Sequence, residues 1–269
     1  MKQIKIATIV QARVSSTRLP GKVLLPVFGR PILSLMIERL KRSKLIDKII
    51  VATSNSPEDD AIVEFCKNEN IDFYRGSLND LLDRHYKCAL EYKADAVAKI
   101  PSDCPLIDPA VIDKVYNFFI ESYPKYDYVS NLHPASYPDG NDVEIMKFSA
   151  LDLAWKNATK DFEREHTTPY IWENPDLFSI GNVKWEANLD YSTYHRWTLD
   201  YFEDYQVIKA VYENLYPIKQ DFGIYDILEL VEKRKDIFNL NSHLAGVNWY
   251  RHYIGQLKTI EPSMTKMYP

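Results

Sequence analysis

Gln11-Ala-Arg-Val-Ser-Ser-Thr-Arg-Leu-Pro-Gly-Lys22 follows an apolar run at residues 4–10 that reads as a buried strand. From Arg13 to Lys22 the chain gathers three fixed cations (Arg13, Arg18, Lys22), three hydroxyls (Ser15, Ser16, Thr17) and a Pro-Gly turn. The next helix signal comes only at Pro31, ahead of Ile-Leu-Ser-Leu-Met-Ile-Glu-Arg-Leu. A donor-rich loop at the carboxyl end of a first strand is where open α/β sheets bind ligands. Its chemistry suits a polyphosphate: arginine forks onto phosphate oxygens, lysine adds a point charge, and hydroxyls and backbone N–H groups fill in. It is neither a GxxxxGK(S/T) loop nor a GxGxxG turn. A solvated basic turn with no ligand is the lesser alternative, since basic surface loops are common.

Outward from this loop, strand and helix patterns alternate. Strands are expected at 48–53, 73–74, 96–100 and 126–130, with helices at 32–41, 58–69, 80–92 and 109–121. That βαβ rhythm predicts a mostly parallel sheet with right-handed crossovers and helices on both faces. From about 131 the rhythm changes: strands are expected at 143–147, 178–183 and 184–189, and helices at 150–157 and 163–173. A short apolar strand at 196–199 should lead into a helix at 201–215. The reading is one domain over 1–258 with a substrate segment inserted at about 131–195, and a loose polar tail at 259–269.

Composition narrows the function classes. With 269 residues, 46% of them hydrophobic, the chain can bury a sizeable core. A net charge of −5 leaves no general basic footprint for nucleic acid, and the concentrated cations favour a small anionic ligand. Three cysteines without CxxC spacing suggest neither a disulfide framework nor a zinc site, so the cytoplasm is the expected compartment. No apolar stretch approaches the ~18 residues of a membrane span. Of eight glycines, Gly21, Gly29, Gly76 and Gly140 fall within the segments discussed here.

Lys99-Ile-Pro-Ser-Asp-Cys-Pro-Leu-Ile-Asp-Pro109 ends a buried strand with Asp103, well placed to hold a divalent ion on a triphosphate. Either Asp103 or Asp108 could instead cap the helix after Pro109, and Asp108 is better suited to that role. Arg75-Gly-Ser-Leu-Asn-Asp80 enters a helix, with Ser77 or Asn79 as N-cap candidates. In Tyr137-Pro-Asp139-Gly140-Asn-Asp142-Val-Glu144, Asp142 and Glu144 alternate and so share one strand face. A hairpin followed by an ordinary capped helix at Arg164-Glu-His166 is the structural alternative to a substrate pocket there.

Gln11-Ala-Arg, Ser16-Thr-Arg-Leu-Pro-Gly-Lys-Val-Leu and Gly29-Arg-Pro together resemble the signature loop of the sugar-activating cytidylyltransferases. These include the Kdo and acylneuraminate enzymes, and the resemblance is nearest to the spore-coat polysaccharide SpsF-like branch. It implies a Rossmann-like, GT-A-related fold whose extra segment serves the sugar and often a dimer contact. It implies nucleotide contacts at Gln11, Ala12, Arg13, Ser16, Arg18, Lys22, Gly76, Ser77 and Asp103, with Lys22, Arg13 and Arg18 acting in catalysis. Ser-Asp103-Cys-Pro and Asp200-Tyr-Phe-Glu-Asp204 match the family's two metal carboxylates, which assigns Mg²⁺ to Asp103 and Asp200. Tyr201-Phe202 stand where the family more often has Thr-Pro. The "PDGxDxE" and "REHxTPYI" strings of SpsF-like members imply substrate contacts at Tyr137, Asp139, Asp142, Glu144, Arg164 and His166.

The reaction implied is CTP plus an acidic sugar giving the CMP-sugar and pyrophosphate, in a homodimer. A nucleotidyltransferase acting on a sugar phosphate, polyol phosphate or phosphonate is the nearest alternative. A GT-A glycosyltransferase would usually carry an Asp-x-Asp metal motif, which the chain lacks. A nucleotide-binding module without catalysis would not need Lys22, Asp103 and Asp200 together.

Overall fold

A computed structural model describes residues 4–186 and 188–267. The chain opens with strand β1 (Ile6–Gln11), then a two-residue-per-arm hairpin of β2 (Pro26–Val27) and β3 (Arg30–Pro31), and helix α1 (Ile32–Leu40). It continues through β4 (Ile49–Ser54), α2 (Asp60–Asn68), β5 (Asp72–Gly76), α3 (Leu81–Glu91), β6 (Ala96–Pro101) and α4 (Pro109–Ser122). Next come β7 (Tyr128–Ser130), β8 (Glu144–Lys147), α5 (Phe148–Asn157), α6 (Asp161–His166), α7 (Pro169–Trp172) and β9 (Ile180–Asn182). Helices α8 (Phe202–Leu215), α9 (Ile224–Lys233) and α10 (Lys235–Phe238) follow.

The central sheet has seven strands in the order β5-β4-β1-β6-β8-β7-β9. Strands β5, β4, β1 and β6 are parallel, β8 runs antiparallel to both β6 and β7, and β9 pairs parallel with β7. The chain leaves β1 toward β4 on one side and returns to β6 on the other, so the carboxyl end of β1 sits at a topological switch point. The donor-rich loop begins there.

Strand pleating divides the core. Val10, Val51, Ala98 and Ile100 pack with Leu33, Met36, Phe65, Val115 and Phe119 of α1, α2 and α4. Ala7, Ile9, Ile50, Ala52 and Val97 face the opposite way, against Leu82, Cys88, Leu151 and Ala154 of α3 and α5. The two faces therefore carry alternating residues of the same strands, as the period of two requires. A third cluster joins the hairpin to α8 and α9 through Val27, Leu35, Trp197, Val207, Tyr212 and Ile227.

Several expectations are corrected. The helix expected at 163–173 is two short helices, α6 and α7, parted by Thr167 at φ 73°. No strand forms at the described residues among 184–189; Ala187 lies outside the described residues. Instead of a strand at 196–199 there is one isolated parallel bridge, Asp139 to Arg196. The tail expected to be loose is tied down through residue 267. The Lys258 and Thr259 backbone N–H groups donate to Glu173, the latter at 2.8 Å, Lys266 N donates to Gly246 O at 2.7 Å, and Ile260 is buried.

Candidate active site

The backbone of the loop after β1 is anchored on its neighbours. Ala12 N donates to Ala52 O (3.0 Å), and Val14 N donates to the buried carboxylate of Asp59 (2.7 Å). Gly21, at φ 70°, closes the turn by donating to Val14 O (2.9 Å), and Lys22 follows at once. Any other residue at Gly21 would be strained in this left-handed conformation.

That geometry delivers the Lys22 ammonium between two carboxylates, 3.3 Å from Asp103 Oδ2 and 2.8 Å from Asp200 Oδ1. Asp103 lies just beyond β6, and Asp200 just ahead of α8. Arg18 reaches the same oxygen of Asp200 at 2.6 Å. Burial disfavours both charges, yet each outweighs it for the other. Asp103 and Asp200 hold the Lys22 pKa above its usual value, and Lys22 and Arg18 hold that of Asp200 well below the carboxylate range. The carboxyl ends of β1 and β6 and the approach to α8 thus bring Lys22, Arg18, Asp103 and Asp200 together.

Asp108 is a cap: it accepts from Ala110 N at 2.8 Å and also from Ile224 N at 2.7 Å, joining α4 to α9. At the end of β5, the N-cap of α3 is Asp80, not Ser77 or Asn79; its carboxylate accepts from Asp83 N at 2.8 Å. Ser77 Oγ accepts from Asp80 N, and the Ser77 carbonyl takes two donors from the buried Arg84, at 2.8 and 2.6 Å. A Cβ on Gly76 would sit 2.9 Å from Arg84 Cγ. Gly76 and Ser77 therefore belong to a stiff turn beside the β4 carboxyl end, and Arg13 lies near enough to Arg84 to help depress its pKa to about 10, after burial.

A cavity of about 870 Å³ opens beside Asp103 and Asp200, within the size range of small-molecule sites. Gln11, Arg18, Tyr137, Asp139, Asp142, Glu144 and His166 line it. Glu144 is buried and bonded to Lys99 and to the Tyr128 hydroxyl (2.6 Å). Asp139 meets Arg196 at 3.5 Å, and burial with Asp142, Asp200 and Asp204 nearby pushes its pKa up despite that arginine. Asp142 has no ion-pair partner among the described residues, and burial with Asp103 and Glu144 nearby pushes its pKa up to about 7. His166 stacks on Trp249 with centroids 3.8 Å apart, and burial lowers its pKa to about 3, so its ring is neutral.

Arg164 does not line this cavity. Its guanidinium is committed to Asp80 (2.9 and 2.5 Å) and to Trp155 O, tying α6 to the start of α3. The substrate role expected of it is corrected to a structural one. Ala12, Ser16, Arg13 and Lys22 are not among the residues that line the cavity; Ser16 Oγ accepts from Leu19 N at 3.3 Å within the loop.

Three groups of residues escaped the sequence reading. Arg196 and Asp204 flank Asp200 at four-residue spacing and are discussed below. Tyr201, noted only as a departure from Thr, has Arg18 5.4 Å and Arg196 5.7 Å from its ring centroid, so it supports both guanidinium groups. Val247, Asn248, Trp249, Tyr250, Ile260 and Met264 complete the cavity wall, from a stretch with no charged pattern to mark it.

The family model described as "Cytidylyltransferase" matches residues 7–246. The spore coat polysaccharide biosynthesis protein SpsF of Bacillus subtilis is 29% identical over 86% of this chain and 95% of its own. A 3-deoxy-manno-octulosonate cytidylyltransferase of Bdellovibrio bacteriovorus is 32% identical over 54% of this chain and 57% of its own. Among solved structures, a cytidylyltransferase from Leptospira borgpetersenii superposes with a TM-score of 0.82 at 32% identity, covering 88% of this chain and 97% of that one.

Proposed function

The chain belongs to the cytidylyltransferase family, and from that premise we propose that it transfers CMP from CTP to an acidic sugar, releasing pyrophosphate. The observation that carries this reading is the meeting of Lys22 with Asp103 and Asp200 beside a cavity large enough for a sugar. Arg13, Arg18 and Lys22 bind the phosphates from the loop side. Asp103 and Asp200 are a donor set suited to Mg²⁺, which takes one or two protein carboxylates and fills its shell with phosphate oxygens and water. Among the described residues no cluster of three or more acidic, histidine or cysteine ligands competes for that role. When bound there, the ion would offset the negative charge of the phosphates.

The acceptor sits in the cavity. Its hydroxyl oxygen, for an ulosonic acid the anomeric one, attacks the α-phosphorus and releases its proton to water while the bond to the bridging oxygen of pyrophosphate breaks. Arg18, which reaches both the Asp200 carboxylate and the cavity, neutralises charge developing on the departing phosphates. Asp139 and Asp142 take hydrogen bonds from sugar hydroxyls, and the neutral His166–Trp249 stack offers an apolar face to the ring carbons. Positioning and charge stabilisation do the chemistry, and no covalent nucleophile is needed.

A 3-deoxy-manno-octulosonate enzyme among the relatives supports an acidic acceptor, and SpsF supports a place in surface polysaccharide synthesis. A second reading is favoured by Asp142, which has no ion-pair partner among the described residues and only the nearby Lys99 offsetting its charge: an acceptor that also carries an amino group. A homodimer in the cytoplasm is proposed on the family resemblance. No helix of the described residues is long and apolar enough to cross a membrane.

The test is pyrophosphate release with Mg²⁺, each of the four ribonucleoside triphosphates, and 3-deoxy-manno-octulosonate, N-acetylneuraminate, neutral hexoses and sugar phosphates as acceptors. Turnover confined to CTP with sugar acids supports the reading. Turnover with sugar phosphates but no sugar acid, or with ATP or GTP in place of CTP, would falsify it.

A further inference from the structure

Asp204 is fully buried, and both its oxygens are saturated. Oδ1 accepts from Arg196 Nε (2.9 Å) and Asn241 Nδ2 (2.8 Å). Oδ2 accepts from Arg196 Nη2 (3.0 Å) and from the backbone N–H groups of Asp200 and Tyr201 (both 2.9 Å). Asp204 therefore closes the first turn of α8 back onto the residue that carries the Asp200 carboxylate. Arg196 is equally enclosed, with its side chain 1% exposed. Its remaining donors go to Val247 O (2.9 Å) and toward Asp139 (3.5 Å), and Nη2 also lies 3.6 Å from Asp200 Oδ2. One guanidinium thus touches the backbone anchor, the Asp200 carboxylate itself, a cavity carboxylate and the cavity's last wall.

We propose that Arg196 and Asp204 are a positioning pair: they orient Asp200 for the divalent ion and fix its distance from the acceptor cavity. This rests on the assignment of Asp200 as a metal ligand. The physical case is one of precision. A carboxylate on a segment that is neither helix nor strand has free rotamers, and an ion held by two protein carboxylates needs both in place at once. Asp204 pins the backbone of Asp200, while Lys22 and Arg18 hold its Oδ1; Arg196 stands 3.6 Å from Oδ2, outside hydrogen-bond distance, so Oδ2 is the oxygen turned to the ion. Groups that orient a metal ligand without touching the metal commonly change its affinity ~10–100-fold when altered. A role confined to holding the fold together would lower melting temperature and leave the ion's affinity in the folded protein unchanged.

The full chain is titrated with Mn²⁺ in the presence of CTP, following free Mn²⁺ by its paramagnetic resonance signal, and CTP affinity without metal is measured alongside. The variants are Asp204→Asn, Arg196→Lys, Asn241→Ala and Asp200→Asn, all read below their melting transitions. The expected result is Mn²⁺ binding weaker by ~10-fold or more in Asp204→Asn and Arg196→Lys, and by less in Asn241→Ala. Metal-free CTP binding should change less than twofold. In the Asp200→Asn background, adding Asp204→Asn should have little further effect, because the pair acts through Asp200. If Asp204→Asn does not fold, Arg196→Lys and Asn241→Ala give the same readout. Normal Mn²⁺ affinity in folded Arg196→Lys and Asn241→Ala overturns the positioning role. Normal affinity in Asp200→Asn overturns instead the metal assignment beneath it.

Discussion

Lys22 Nζ donates to Asp200 Oδ1 at 2.8 Å, joining residues 178 positions apart. A flexible, strongly hydrated ammonium is costly to bury unless a carboxylate meets it, and here two do. The contact brings the first loop and the approach to α8 to one point.

Lys22→Ala should lower turnover by ~10²–10³-fold, the usual effect of removing one charge-stabilising group, while the protein stays folded. Steady-state pyrophosphate release, with circular dichroism as the folding control, checks this. Near-wild-type turnover in the folded variant would remove Lys22 from the phosphate site.

Asp103→Asn should raise the Mg²⁺ concentration needed for half-maximal activity without unfolding the chain, since it keeps the side chain's size and removes its charge. Asp103 is also the more solvent-open partner of Lys22, with its side chain 31% exposed against 16% for Asp200. The folding cost should therefore be smaller than for Asp200→Asn. An unchanged Mg²⁺ midpoint would make Asp103 a structural residue.

Asp142 gives a pH prediction with a defined sign. Its pKa is raised to about 7 in the fold, against about 3.9 in an unfolded chain. Between these values the native state binds a proton that the unfolded state does not, so this group makes stability fall as pH rises from about 4 to 7. Asp142→Asn removes that penalty. Without metal or nucleotide, the variant should melt higher than the parent at pH 8, and the gap should close as pH approaches 4. A gap of constant size across this range would show that Asp142 is not the titrating group.

Glu144 and Lys99 are buried together, so removing one partner leaves an uncompensated charge inside the protein. Glu144→Ala should cost about 3–5 kcal/mol, a drop of roughly 10 °C in melting temperature for a chain of this size. Lys99→Met combined with Glu144→Leu should recover much of the loss. A small effect from Glu144→Ala alone would place water at this pair.

What was legible in the sequence was local chemistry. The β1 loop, the strand end at Asp103, the Asp108 cap and Asp200 ahead of an amphipathic helix each announce themselves within about ten residues, and the fold brings Lys22, Asp103 and Asp200 together. Arg164 was misread because its partner, Asp80, lies 84 positions away and the string around Arg164 looks the same whichever way the side chain turns. The break at Thr167 carries no glycine or proline at the break itself; a buried β-branched residue holds positive φ only because the tertiary packing enforces it. Arg196 looked like part of a strand, and its role appears only when Asp204, Asp139 and Val247 are brought around it. The cavity wall at 247–264 was invisible for the same reason: aromatic residues without a charge pattern look like ordinary core.

The region matched by the family model ends at 246, and the cavity wall continues past it through Trp249, Tyr250, Ile260 and Met264. Eight of the lining residues lie beyond the matched region. A substitution among them reshapes the cavity without replacing Lys22, Asp103 or Asp200.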